Sequence, residues 1–282
     1  MKLVIPIFLS VLASLIVVSL IDRDNTQTPL SKETVFQSFA DERVLRCGFS
    51  VWDPGIYVDD QNNMQGLVPE LMRLLAKIGG FEVQWSQEIG WGEIQNALDA
   101  KKIDAHCAGM WRDPRRAHVM TYTKGLFVSD VAIVVRHDDL RFPDKLYQIS
   151  DLNDPNLKLP IIEGGILDPL TKDRFPKAQL LPLPMLSSDA ENILSVVTKK
   201  ADFAMVEKTA AIKYIQSNPD KIKILSFSEP VARYRNVIAL NIRENTLRES
   251  LNVLIEDMKK TSDYKKIMAK YNALYPGSLL LD

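Results

Sequence analysis

The sequence predicts an α/β protein built as two lobes, and three observations carry that prediction. From residue 43 onward, short apolar runs alternate with segments whose apolar residues recur at helical spacing. The same alternation restarts near residue 157. With 282 residues, 46% of them hydrophobic, the chain can bury one large core or two smaller ones.

Charge narrows the function classes. The 35 basic and 36 acidic residues give a net charge of -1, whereas a protein that holds a nucleic-acid backbone needs a broad basic excess. Nucleic acid is therefore excluded as the main partner. No G-x-G-x-x-G or Walker A pattern occurs, so a nucleotide has nothing to bind to, and no cofactor is expected. Cys47 and Cys107 are too few for a disulfide scaffold and lack metal-ligand spacing. They read as two buried apolar thiols, and no metal is expected.

Residues 1–21 come first. After Lys2 runs "LVIPIFLSVLASLIVVSLI", uncharged throughout. It is longer than the ~7–15 residues of a signal-peptide core and close to the ~20 that cross a bilayer as a helix. No small-x-small cleavage site or early cysteine follows it. The segment reads as an export signal or an uncleaved membrane anchor. Lys2 on the short flank places the remainder outside the cell. Residues 22–42 read as a polar spacer.

The first lobe begins with "VLRCGFS", a short strand, and a turn-rich stretch "WDPGIYVDDQNNMQG". "LVPELMRLLAKIG" carries Leu67, Leu71, Leu74, Leu75 and Ile78 at helical spacing and stops at Gly79-Gly80. "FEVQWSQ" alternates as a strand, "WGEIQNALDAKK" reads as a helix, and "IDAHCAG" is a further strand. Strand, helix, strand, helix, strand signals a parallel sheet with crossover helices. In the second lobe "LKLPIIEGG" and "ADFAMVE" are strands. "SDAENILSVVTKK", capped at Ser188 or Asp189, and "KTAAIKYIQS" are helices. "TLRESLNVLIEDMKK" and "YKKIMAKYNALY" are amphipathic helices at the end of the chain.

The ordered blocks "LRCGFS…GLVPELMRLLAKIGGFEVQW…IQNALDAKKIDAHCAGM…RRA" resemble the extracytoplasmic solute-binding proteins of the amino-acid type, family 3, over residues 43 to 275. The resemblance implies the two-lobed periplasmic binding protein-like fold of type II, with a ligand trapped between lobes joined by two hinge strands. By the family's spacing the hinges fall near 127–130 and 231–234. Lobe 1 then comprises residues 43–126 with 235–282, and lobe 2 residues 131–230.

The stretch "GMWRDPRRAHVMTYT" carries the expected site. The family's Thr-Pro-x-Arg turn reads here Asp113-Pro114-Arg115-Arg116, which implies that Arg116 grips a ligand's α-carboxylate. The physical reading agrees. Ligands of α/β sheets bind at the carboxyl ends of strands, where "IDAHCAG" stops. A guanidinium holds a carboxylate through two parallel hydrogen bonds that lysine cannot imitate. Arg112, Arg115 and His118 read as solvated surface groups as readily as ligand or membrane contacts. Gly109 and Met110 lead into this turn and are expected to line the site.

Further residues follow from the resemblance. Glu207 stands where the family has an aspartate that holds the ligand's ammonium, and the extra methylene changes that geometry. Trp111 replaces a small hydroxyl residue, while Trp52 and Trp91 occupy positions similar to the family's ring-stacking aromatics. Trp85, in mid-strand, reads as core. Gly164 and Gly165 match a loop that offers backbone N–H groups to the carboxylate, as a glycine pair at a strand end can.

The implied function is capture of a small carboxylate-bearing solute, an amino acid or close relative, by a monomer that delivers it to an ABC transporter permease. A membrane-tethered sensing module with a separate signalling partner is the alternative. A cyclohexadienyl dehydratase-like enzyme is a third reading, with Glu207 as general acid.

Overall fold

The computed structural model describes residues 34–282. The apolar run of residues 3–21 and the first part of the spacer lie outside the described residues. The last part of the spacer is a helix, α1 (Val35–Glu42), capped by Thr34, whose side chain accepts from the Gln37 N–H. Val35 and Phe39 are buried in the first lobe's core, and Glu244 accepts the N–H groups of Val35 and Phe36, each at 3.3 Å. The polar residues around these two apolar ones hid an amphipathic turn in the sequence.

Lobe 1 holds three parallel strands, β1 (Val44–Phe49), β2 (Glu82–Glu88) and β3 (Ala105–Trp111), with β1 between the other two. Helix α2 (Leu67–Gly79) matches its sequence bounds and ends at Gly80, whose φ of 62° is the left-handed conformation glycine adopts freely. Helix α3 (Ile94–Asp99) is shorter than its pattern, because residues 91–93 form a turn in which Glu93 N–H reaches Gly90. Trp85, expected in the core, is partly buried at its edge and packs edge-on to Phe49 with ring centroids 6.1 Å apart.

After β4 (Met120–Tyr122) the chain leaves lobe 1 along β5 (Phe127–Arg136). Lobe 2 pairs β6 (Lys158–Ile162) in parallel with β7 (Gln179–Leu183), and lays β8 (Phe203–Glu207) antiparallel on β5. Around them stand α4 (Asp168–Arg174), α5 (Asp189–Val197) and α6 (Lys208–Ser217), with the short strand β9 (Ile222–Ile224) on β5. The capping box at Ser188 and Glu191 starts α5 where the sequence placed it.

The return strand, β10 (Ala232–Asn241), pairs with β5 through residues 232–236 and with β3 through residues 236–240. β5 and β10 thereby form one continuous sheet, in the order β8-β5-β10-β3-β1-β2. Separate cores flank the crossing. One gathers Leu71, Leu75, Ile255 and Met258 under α2, α7 (Asn245–Lys260) and α8 (Ser262–Leu274); the other gathers Val131, Ile133, Phe175 and Phe203.

The cysteines are not free thiols. Cys47 and Cys107 form a disulfide with Cα atoms 5.5 Å apart. Adjacent parallel strands in the register Cys47 to Ala105 bring the two side chains onto one face. A separation of 60 positions concealed that proximity in the sequence.

Candidate functional site

The site is built around the turn that follows β3. Asp113 caps the short turn Pro114–Arg116, accepting the Arg115 N–H at 2.9 Å. Its carboxylate, 5% exposed, also takes Arg115 Nε at 3.0 Å and Nη2 at 2.9 Å, and Arg116 Nε lies 3.8 Å away. Burial opposes ionisation here. The hydrogen bonds from Arg115 and the charges of both arginines nonetheless hold the Asp113 carboxyl below its usual range.

Arg115 does more than the solvated reading allowed. Its Nη2 donates across the cleft to the carbonyls of Gly164 at 3.2 Å and Gly165 at 3.0 Å. A second bridge between the lobes joins Lys213 of α6 to Asp53. Arg116 points elsewhere in the same mouth, with Nη1 2.8 Å from the carbonyl of Trp91. Trp91 is 40% exposed and lies edge-on over the buried His106 at 5.6 Å. His118 is exposed.

The remaining predicted residues divide by lobe. Gly109 has φ +67°, and a Cβ there would press on Val68 at 3.0 Å. The Met110 side chain packs beneath α3 with Ile94 and Val237 instead of facing the cleft. Trp52 donates Nε1–H to the Ala108 carbonyl at 2.7 Å and packs on the lobe 1 core. In the glycine loop, Gly164 N–H goes to Asp168 at 2.9 Å and Gly165 N–H to Ile162 at 2.9 Å. The two amides expected to meet a ligand are thus used within the loop, and their carbonyls face Arg115.

Trp111 sits at the crossing of the lobes. It stacks on Tyr234 of β10 at 4.5 Å and 11°, and donates Nε1–H to the Ser129 hydroxyl at 2.8 Å. Asn236 donates to the same hydroxyl at 3.0 Å. Beside this group lies Glu207, at the N-terminus of α6, whose N–H donates to Asp189 at 2.8 Å. Burial and then the nearby Asp189 carboxylate push Glu207 up to about 8, partly offset by the hydroxyls of Ser129 and Thr209. Burial raises Asp189 to about 6. Glu207 Oε1 has no hydrogen-bond partner among the described residues.

Asp113 and Asp189, read from the sequence only as a turn residue and a helix cap, and Ser129 and Asn236 were not expected in the site. Asp113 was visible as a turn residue, since aspartate before proline caps such turns. Ser129 and Asn236 become neighbours only through the pairing of β5 and β10, and Asp189, at the start of α5, joins through the Glu207 N–H. The turn after β3 thus carries two arginines, and the starts of α5 and α6 in lobe 2 carry two acids, Asp189 and Glu207. Beneath Trp91, Ser50 Oγ lies 3.0 Å from His106 Nε2, both buried, and the serine hydroxyl donates to the Ile89 carbonyl; no metal-holding group of histidine, cysteine or acidic side chains occurs among the described residues.

The family model for the bacterial extracellular solute-binding proteins, family 3, matches residues 45–273. A probable histidine-binding protein of Neisseria gonorrhoeae is 22% identical over 229 residues, covering 78% of this chain and 79% of that protein. A probable amino-acid ABC transporter periplasmic-binding protein of Sinorhizobium fredii is 24% identical over 237 residues, covering 78% and 74%. Among solved structures, an ancestral amino acid-binding protein described as a precursor of cyclohexadienyl dehydratase superposes with a TM-score of 0.68. It is 23% identical and covers 84% of this chain and 99% of that one. This likeness establishes the two-lobed fold.

Proposed function

Because the chain belongs to the bacterial extracellular solute-binding proteins, family 3, we propose that it captures a small amino-acid-like solute between its lobes and hands it to an ABC transporter outside the cell membrane. The observation that supports this reading is the presence of both signs of charge at the boundary of the two lobes. Arg115 and Arg116 stand at the end of β3, and the acids Glu207 and Asp189 stand on lobe 2. Such a cleft suits a ligand with a carboxylate at one end and an ammonium at the other.

The geometry adds conditions. The Arg116 fork must leave the Trp91 carbonyl, and Glu207 must release a proton held up to about 8, before both ligand ends are matched. At pH 7 that ionisation is uphill and weakens binding. The Cys47–Cys107 disulfide supports an extracytoplasmic location, where disulfides persist. Export by residues 1–21 and a monomeric state complete the proposal. Calorimetric titration with a panel of amino acids tests it; absence of saturable heat with every member would overturn it.

One observation favours a second reading. A carboxyl kept protonated near neutral pH is what a general acid needs, and Glu207 is such a group. Product analysis after incubation with prephenate separates the two: turnover abolished in Glu207→Gln makes the protein an enzyme, and no turnover leaves the binding role.

A further inference from the structure

Arg112 belongs to neither half of the cleft. Its N–H donates to the Arg235 carbonyl at 3.3 Å where β3 meets β10. Trp111 turns toward the second lobe's core. Arg112 instead lines a groove of about 760 Å³ on lobe 1, beside the start of the two crossing strands.

Charge is the groove's main property. Arg112, Lys124, Arg235, Arg248, Lys259 and Lys260 face the carboxylates of Glu249, Glu256 and Asp282. Lys124 pairs with Glu256, Arg248 with Glu249 at 2.6 Å, and Asp282 is shared by Arg235 at 2.7 Å and Lys259 at 2.8 Å. Lys260 is matched outside the groove by Asp257 at 2.8 Å. Arg112 has no carboxylate partner among the described residues, and one of the two cations on Asp282 is in excess. Counting side chains, two positive charges therefore stand in excess in the groove of a chain whose side-chain net charge is -1.

The lining also sets the chemistry of an occupant. Val237 is the one aliphatic side chain in it, and the Tyr122 and Thr123 hydroxyls and the Asn252 amide are engaged by Asp113, Lys124, Ile238 and Glu249, which leaves the cations to meet an occupant. Gly125 keeps the floor open, since a Cβ there would lie 2.6 Å from Asp282 Oδ2. A ligand with a large apolar body gains little here, whereas a compact oxyanion meets the Arg112 guanidinium just past β3, flanked by Arg235 of β10 and Arg248 of α7, which are held on Asp282 and Glu249. We propose that this groove is a second binding site, separate from the cleft, for a phosphate dianion, either free or as the monoester head of a lipid. Phosphate monoester carries about -1.5 to -2 charges at neutral pH, which matches the excess.

The test uses the full chain in two arms, calorimetric titration with inorganic phosphate, and flotation with phosphatidylcholine vesicles with and without phosphatidic acid. Saturable phosphate binding is expected, weakened about tenfold in Arg112→Ala and by added salt, and unchanged in Lys266→Ala, whose lysine is exposed on α8. Retention on phosphatidic acid beyond phosphatidylcholine, lost in Arg112→Ala, identifies the lipid as source; phosphate binding without that retention identifies the free anion. The proposal is overturned if neither arm shows Arg112-dependent binding, including the case in which Arg112→Ala binds phosphate as tightly as the parent.

Discussion

The Arg115 guanidinium, held on Asp113 of lobe 1, reaches the Gly165 carbonyl of lobe 2 at 3.0 Å. The chain thus supplies its own tie across the cleft, beside the arginine expected to hold a ligand. Arg115 is 41% exposed, so its two cross-cleft hydrogen bonds together contribute about 1 kcal/mol after screening.

Removing that tie shifts the balance between open and closed forms. Arg115→Ala is expected to lower the closed-to-open ratio of the ligand-free protein about fivefold. Small-angle scattering reads this as a larger radius of gyration than the parent's. A profile identical to the parent's means that Arg115 does not hold the lobes together.

Glu207 gives a pH dependence of stability with a defined sign. Its carboxyl titrates near 4.5 in the unfolded chain and is pushed up to about 8 in the fold. Between those values the folded state binds more protons, so this group makes stability fall as pH rises through the window and adds no slope above about 8. Asp189 acts in the same direction up to about 6. Asp113 and Asp139, held low, oppose it only at more acid pH. Melting curves of Glu207→Gln should therefore decline less from pH 5 to 8 than the parent's; parallel curves would show that Glu207 ionises normally.

The disulfide closes a loop of 60 positions between neighbouring strands. By loop entropy such a link contributes about 4 kcal/mol. Reduction, or replacement of both cysteines by alanine, is expected to lower the denaturation midpoint strongly while the far-ultraviolet spectrum at low denaturant keeps its α/β character. A midpoint unchanged by reductant contradicts the link.

How far the sequence carries depends on the range of each interaction. Helix α2 and helix α6 match their sequence bounds because their signals, the glycine stop at 79–80 and the strand-to-helix change at Glu207, are local. The cap at Ser188 is local in the same way. Pairings across tens of residues were not legible. The disulfide, the seat of α1 on Glu244 and the meeting of Trp111, Ser129 and Asn236 all depend on which strands become neighbours. For the same reason the sequence singled out Arg116 and Glu207 as site residues but not their neighbours Asp113 and Asp189.

The three arginines of the turn now carry three separate expectations, which one set of titrations ranks. Arg116 is partly shielded, with its side chain 27% exposed, and its fork faces the cleft mouth beside Trp91. If it grips a ligand carboxylate on closure, Arg116→Ala strands that carboxylate without its partner, a loss of about 3 kcal/mol and hence about two orders of magnitude in affinity. Arg116→Lys keeps the charge but not the paired geometry, so it should recover only part of the loss. Arg115→Ala should weaken the same ligand about fivefold, through closure and without a direct contact. Arg112→Ala should leave amino-acid binding unchanged, because Arg112 lines the separate groove on lobe 1. Calorimetry of the four variants with whichever amino acid binds the parent decides the order. Should Arg115→Ala abolish binding while Arg116→Ala retains it, the carboxylate is held by Arg115, and the grip lies one residue earlier in the turn.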